Sequence, residues 1–298
     1  MSGDESGRAQ MLTELGDVYV NTDELAKAER AYGEALMIYQ KLSNKRRSAL
    51  LLRNLGAVYS LERRSDEALS FLERALKEAS RVPQPDPTLT GQILNSLGVE
   101  YFRRGNLQKA EQFLTQAVNT LPDVDGVYET AATLNNLSAI YHARRQYSKA
   151  EEYLSRAFKI TEQQIGPAHP DMTFMLASMA ILYSDTRQYD KAEQYYLRAL
   201  KIVEGNPVFE TRTARLLQGL SRNYSAAGRT SESEAALLKA AAIARRHLSQ
   251  HSDMADILNA YASTLTKGGR KQEAEELRTE VRRAQITEDL VIKAHSSF

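Results

Sequence analysis

The chain of 298 residues carries 39 lysine and arginine residues against 38 aspartate and glutamate residues, a formal net charge of +1, and it contains no cysteine. A chain so close to neutral has no overall field that would attract nucleic acid or an anionic membrane. Without cysteine it can form no disulfide, thiolate nucleophile, cysteine-bound zinc site or iron–sulfur cluster.

The chain opens with a polar leader, residues 1–8, that lacks the basic start and apolar run of a signal peptide. No later segment approaches the 18 or so apolar residues that a membrane-spanning helix needs. We therefore predict a soluble, cytoplasmic protein.

An anchor residue recurs every 40 to 42 positions from residue 19 onward. An apolar residue, usually leucine, precedes each anchor by seven and by four positions, and a small residue precedes it by three. Because these offsets share one face of a helix, they predict the first helix, helix A, of a repeated unit. The anchors are Tyr19, Tyr59, Tyr101, Tyr141, Tyr183, Tyr224 and Leu265.

A second helix, helix B, is predicted after each anchor. Alanine usually follows the anchor by nine and by sixteen positions, a spacing that places small residues on one helical face. Capping-box spacing, as from Ser148 to Glu151 and from Asp190 to Glu193, predicts where helix B begins. All seven prolines fall in the links between units, and no segment has the pattern of a strand.

This pattern resembles the tetratricopeptide repeat, and its long unit is similar to the kinesin-light-chain-type subgroup. The most specific matches are residues 166–173, 134–137 and 147–153. The resemblance implies an all-α, right-handed superhelical solenoid of about seven helix-turn-helix repeats plus a C-terminal capping helix. In this architecture the A helices line a concave groove.

The resemblance covers residues 9–282, and residues 283–298 are expected to form the capping helix and a tail. The first repeat would leave Met11 and Val18 unshielded. We therefore expect either a monomer or weak end-to-end dimer, or a chain that belongs to a longer protein. The seven repeats are predicted at about 9–44, 49–82, 91–124, 131–166, 173–206, 214–248 and 255–282.

The A-helix positions that packing does not use form the predicted groove. Repeats two to four contribute a polar row there, repeat five contributes an apolar patch around Phe174 and Ile181, repeat six a basic stripe, and repeat seven an amide. The predicted peptide-binding residues are Arg53, Asn54, Gln92, Asn95, Asn135, Asn136, His142, Phe174, Arg215, Gln218, Arg222 and Asn259.

These residue types suit an extended peptide. An asparagine side chain can pair with both the N–H and the C=O groups of a peptide backbone. Arg215 and Arg222 could bind a carboxylate, and Phe174 with Ile181 could receive an apolar side chain. The sequence thus predicts an extended acidic and hydrophobic segment as the partner.

Structural explanations of the same residues stay open at this point. The asparagines could be solvated or could bridge neighbouring helices, and Phe174 could belong to the core between repeats. Arg215 and Arg222 could pair with carboxylates such as those of Glu232 or Asp256.

Other chemistry has little support in the sequence. His247 and His251 lie four residues apart, but no zinc-protease motif surrounds them. There is no glycine-rich phosphate loop, no nucleophile with a matching base, and the arginine pairs are interspersed with acids. We therefore expect no catalytic residue, metal, cofactor, nucleic-acid partner or membrane partner.

The favoured function is a non-enzymatic scaffold or adaptor that binds a peptide or protein segment in the groove. The alternative is the ligand-sensing module of a signalling regulator, which would bind a signal peptide or a small molecule.

Overall fold

The computed structural model describes residues 2–121, 128–247 and 254–295, and these ranges form fourteen α-helices and one short 3₁₀ helix without any strand. The all-α class is as predicted, and the fourteen α-helices of these ranges correspond to seven pairs. The helices are α1 (Ser2–Asn21), α2 (Leu25–Lys41), α3 (Lys45–Leu61), α4 (Ser65–Ala79), α5 (Pro87–Arg103), α6 (Leu107–Thr120), α7 (Tyr128–Ala143), α8 (Tyr147–Ile165), α9 (Met172–Asp185), α10 (Tyr189–Val203), α11 (Glu210–Ala226), α12 (Thr230–His247), α13 (Met254–Lys267) and α14 (Lys271–His295).

The chain divides into two compact units, residues 1–160 and 161–298. In the first unit α1 pairs with α2, α3 with α4 and α5 with α6, and each hairpin packs on the next. The second unit repeats this arrangement with the pairs α9–α10, α11–α12 and α13–α14. Each unit is therefore a stack of helical hairpins, as in an all-α repeat solenoid.

Each turn from helix A to helix B contains one residue in the left-handed region, always four positions after the anchor. Glycine fills this position in three repeats, at Gly105, Gly228 and Gly269, and a residue with a side chain fills it in the others, as at Arg63 and Arg187. The next residue donates its N–H to the carbonyl of the anchor at 2.8 to 2.9 Å. A left-handed residue with this backbone bond is a common way to end a helix, so the turn has one geometry throughout.

The small residue three positions before each anchor lets helix B cross close to helix A. A Cβ atom on Gly56 would lie 2.7 Å from Cγ of Leu72, and one on Gly98 would lie 2.5 Å from Cγ of Leu114. The alanines of helix B are fully buried at the same crossings, among them Ala68. The close contact inferred from the sequence is confirmed.

The anchor tyrosines pack between helices and also form hydrogen bonds. The ring of Tyr141 stacks on Tyr153 with 5.3 Å between centroids, and Lys149 lies over its face. Its hydroxyl donates to Oε1 of Glu111 in the preceding hairpin at 2.7 Å. The same bond joins Tyr59 to Glu29 and Tyr224 to Glu193, so these tyrosines connect successive repeats.

The ends of the chain differ in detail from the expectation. The expected leader is already helical, because α1 begins at Ser2, and the expected capping helix is continuous with helix B of the last repeat in α14. Met11 and Val18 are exposed, as expected for an unshielded first repeat. The described residues do not include 248–253, and therefore not His251, nor the side chains of 284–295. The boundaries of the seven repeats stay predictions.

The helices in the described ranges are all too short or too polar to cross a bilayer. The cytoplasmic location stays a prediction.

Candidate peptide-binding groove

The amide row of the first unit is partly engaged within the protein. Nδ2 of Asn136 on α7 donates to Oδ1 of Asn95 on α5 at 2.9 Å. These two asparagines therefore bridge neighbouring helices, which was one of the open explanations. Asn135 is half-buried, and its side chain forms no hydrogen bond within the described ranges.

Arg53 and Asn54 belong to a polar cluster on α3. Nη2 of Arg53 donates to Oδ1 of Asn54 at 2.9 Å. Burial lowers the pKa of Arg53, whereas the nearby carboxylates of Asp17 and Glu129 favour its charged form. The buried Nε of Arg53 has no hydrogen-bond partner in the part of the chain that the structure describes.

The remaining polar residues of the first unit are also in contact with neighbours. Nε2 of Gln92 donates to Oε1 of Glu129 at 2.9 Å, between α5 and α7. The ring of His142 meets that of Tyr147 edge-on, with 5.6 Å between centroids. Most of this predicted row thus takes part in the first unit's own packing.

The second unit contains a cavity of about 430 Å³ between α9 and α11, with one wall residue from α10. Phe174 and Ile181 on α9 line it and are 51% and 48% exposed, so Phe174 is not core between repeats. The predicted basic stripe on α11 lines the facing side. The lining residues are Thr173, Phe174, Ala177, Ile181, Ser184, Asp185, Tyr196, Arg212, Arg215, Leu216, Gln218, Gly219 and Arg222.

The apolar patch and the basic stripe, which lie in different repeats, are therefore brought together at one cavity. Asn259, on α13, is exposed and lies outside its lining.

The arginines that line the cavity differ in the contacts that their side chains make. Arg212 stacks on Phe174 at 4.3 Å from guanidinium carbon to ring centroid, and it donates to the carbonyl of Pro170 at 2.8 Å. It thereby holds the link before α9. Arg222 is exposed, and its side chain makes no hydrogen bond or ion pair to any residue that the structure describes. Glu232, one expected partner, pairs with Arg229 instead.

Arg212, Tyr196 and Gly219 line the cavity, but the sequence pattern did not point to them. The sequence contains one hint for Tyr196. Thirteen positions after the anchor, most repeats carry leucine, as at Leu72 and Leu114, whereas the first and fifth carry Tyr32 and Tyr196.

Charged residues near the ends of helices form ion pairs. His247, singled out in the sequence, lies with Nε2 2.8 Å from Oε2 of Glu210. Among the described residues, no three of the His, Asp and Glu side chains are placed to hold a metal ion.

Family models of helical repeats match most of the chain. The model described as the MalT-like TPR region matches residues 82–291, and one described as the tetratricopeptide repeat matches residues 7–77. No curated protein matches the sequence.

Several solved structures share the fold. BtubC (BKLC) from P. vanneervenii is 21% identical with a TM-score of 0.65, over 74% of this chain and 90% of that one. The kinesin light chain-like repeats of Podosopora anserina are 20% identical with a TM-score of 0.55, over 64% and 92%. A Rap protein complexed with Competence and Sporulation Factor is 15% identical with a TM-score of 0.67, over 94% and 75%.

At these identities the structural likeness establishes the fold alone, and the Podosopora repeats lend the kinesin-light-chain subgroup loose support. The family models, by contrast, cover most of the sequence. The chain belongs to the tetratricopeptide repeat family, with a MalT-like TPR region over residues 82–291.

Proposed function

We propose that this chain is a non-enzymatic scaffold or adaptor that binds a peptide or protein segment along its A helices, with the cavity of the second unit as the main binding point. The observation that carries the proposal is the cavity itself, in which exposed apolar side chains of α9 face the arginines of α11. Concave sites with apolar walls and a few polar groups are typical of ligand-binding sites.

Charge complementarity favours an acidic partner. Arg212, Arg215 and Arg222 line the cavity against a single carboxylate, that of Asp185. Arginine binds carboxylates through paired N–H donors, so a glutamate or aspartate of the partner would dock on Arg222. An exposed pair of this kind contributes at most about 1 kcal/mol, and we expect most of the affinity to come from an apolar or aromatic side chain in the cavity.

The first unit holds a separate candidate contact for a peptide backbone. Asn135 has both a donor and an acceptor available for the backbone of a peptide. A single hydrogen bond of this type contributes about 1 kcal/mol net, so this contact alone would be weak.

A ligand-sensing module is the second candidate. A cavity of about 430 Å³ is large enough for a small molecule, and one protein of similar fold is complexed with Competence and Sporulation Factor. A sensor should change its dimensions in small-angle scattering when the ligand binds, whereas a scaffold should bind its segment with little change.

The proposal is tested with a phage-displayed library of random dodecapeptides selected on the full chain. Selected peptides, labelled and titrated by fluorescence polarisation, should be acidic. They should bind Arg222→Glu about tenfold more weakly, because charge reversal removes the attraction and adds a repulsion of similar size. Arg30→Glu is the matched control, because Arg30 is an exposed helical arginine of α2 that makes no ion pair among the described residues. An equal loss of peptide affinity in Arg222→Glu and Arg30→Glu, or no change of affinity in Arg222→Glu, would contradict the proposal.

A further inference from the structure

The cavity of the second unit has a polar group at its base. Tyr196 on α10 is only 4% exposed, and its ring lies against α11 at Gly219. A Cβ atom at residue 219 would come within 2.7 Å of both Cε1 and the hydroxyl oxygen of Tyr196. The absence of a side chain on Gly219 is therefore what allows the phenol to reach this position.

The hydroxyl of Tyr196 has no hydrogen-bond partner in the described parts of the chain. Tyr32, at the same position of the first repeat, donates its hydroxyl to Oδ1 of Asp17 at 2.6 Å. Asp17 precedes its anchor by two positions, and the residue two before the anchor in the fifth repeat is Ile181. The acceptor of the first repeat is thus replaced by an apolar side chain that lines the cavity.

A second polar group at the cavity is also unpaired. Gln218 lines the cavity, and its buried Nε2 has no partner among the described residues. Buried polar groups are nearly always hydrogen-bonded in native proteins, so the unpaired Nε2 of Gln218 indicates that a ligand atom completes it. The hydroxyl of Tyr196, which no described residue pairs, lies at the same cavity. Phe174, Ile181 and Leu216 contribute apolar surface to the same cavity.

We propose that the cavity receives a tyrosine side chain of the bound acidic segment, whose ring packs on Phe174 and Ile181 and whose hydroxyl hydrogen-bonds to that of Tyr196. This proposal rests on the proposed function of the cavity. Tyrosine combines an aromatic body with an oxygen that both donates and accepts. A bound phenylalanine would cover the hydroxyl of Tyr196 and leave it unpaired, and a site that hydrogen-bonds a hydroxyl discriminates against a ligand that lacks that group.

The hydroxyl of Tyr196 keeps its proton at neutral pH. Burial raises the pKa of Tyr196 to about 12, with Arg222 acting in the opposite direction and Asp185 in the same direction. The group can therefore donate to, or accept from, the hydroxyl of an incoming tyrosine.

The test uses three synthetic nonapeptide libraries that differ only at the central position, which is tyrosine, phenylalanine or leucine. Two flanking positions are glutamate and the others are randomised. Binding of each labelled library to the full chain is measured by fluorescence polarisation. Wild type should bind the tyrosine library about fivefold more tightly than the phenylalanine library, the ratio expected for one net hydrogen bond.

Two variants test the contribution of the Tyr196 hydroxyl to the preference for tyrosine. Tyr196→Phe should abolish the preference for tyrosine over phenylalanine, and circular dichroism checks that it is folded. Tyr195→Phe should keep the preference, because Tyr195 stacks on Tyr183 and lies outside the cavity lining. Equal binding of the tyrosine and phenylalanine libraries by wild type, or a preference that survives in Tyr196→Phe, would overturn the inference and leave the proposed function standing. If none of the three libraries binds to wild type, the result contradicts both this inference and the proposed function of the cavity.

Discussion

The ring of Tyr196 occupies the space that a side chain at Gly219 would need, with 2.7 Å between its hydroxyl oxygen and the position of a Cβ atom there. This contact joins helix B of the fifth repeat to helix A of the sixth. It makes Gly219 a determinant of the cavity, although no ligand atom need touch it.

Gly219→Ala should therefore displace Tyr196 and weaken both folding and binding. Overpacking typically costs about 1–3 kcal/mol, and the gain in helix propensity of about 1 kcal/mol offsets part of it. We expect a net loss of up to about 2 kcal/mol in the free energy of unfolding, measured with urea, and weaker binding of the selected peptides. Gly33→Ala is the control, because no atom lies within 4 Å of a Cβ at that helical position, and it should be neutral or stabilising.

Arg212→Lys should destabilise the second unit although it conserves charge. The guanidinium of Arg212 stacks on both Phe174 and Phe209 and donates to the carbonyl of Pro170. Lysine lacks the planar group that makes these contacts together. We expect about 1 kcal/mol less stability in urea unfolding, whereas Arg222→Lys should change stability little. Equal stability of the two variants would show that Arg212 does not hold the link.

Tyr141→Phe should remove a hydrogen bond between repeats without disturbing the ring stack. The hydroxyl of Tyr141 donates to Glu111, whereas the hydroxyl of Tyr101 makes no hydrogen bond in the residues described and its ring stacks on Phe113. We expect a loss of about 1 kcal/mol for Tyr141→Phe and almost none for Tyr101→Phe. Thermal unfolding of both variants measures the difference, and similar values would contradict it.

The carboxylate of Glu193 should make stability depend on pH. Hydrogen bonds from Arg229 and Tyr224 lower the pKa of Glu193 below its ordinary value of 4.5, against the effect of burial and of the nearby Glu232. A group whose pKa is lower in the folded state contributes stability that is present above the unfolded pKa and is lost as the pH falls through the folded pKa. Stability from this network should therefore decrease below about pH 4.5.

The matched variants for this prediction are Glu193→Gln and Glu204→Gln. Glu193→Gln should have a lower Tm than wild type at pH 7, and the difference should be smaller at pH 3. Glu204 makes no ion pair or side-chain hydrogen bond among the described residues, so Glu204→Gln should follow wild type at both pH values. A constant difference between Glu193→Gln and wild type would exclude the proposed titration.

The fold follows from the sequence because its signals are local and repeated. The small residues before each anchor predict close helix crossings, and the contacts at Gly56 and Gly98 confirm them. The grouping of Phe174 with Arg222 could also be anticipated, because A-helix positions that packing does not use face the same side of the stack.

The state of individual polar groups could not be predicted in this way. The sequence leaves open whether Asn95 and Asn136 bind a ligand or bridge helices, and the approach of α5 to α7 joins them. In the sequence Tyr196 has the pattern of an ordinary core residue. The structure shows that Tyr32 donates to Asp17, and that the hydroxyl of Tyr196 has no such acceptor among the described residues. Such pairings depend on distances between helices, which the pattern of residue types does not contain.

The most direct test of the central claim is photocrosslinking with p-benzoylphenylalanine at single positions of the full chain. Selected peptides should crosslink to Phe174→p-benzoylphenylalanine, inside the cavity, and not to Leu197→p-benzoylphenylalanine, a comparably exposed position of the same unit outside the cavity lining. Mass spectrometry of the adducts identifies the site. Crosslinking at residue 197 and not at 174 would show that the segment binds elsewhere and would contradict the account.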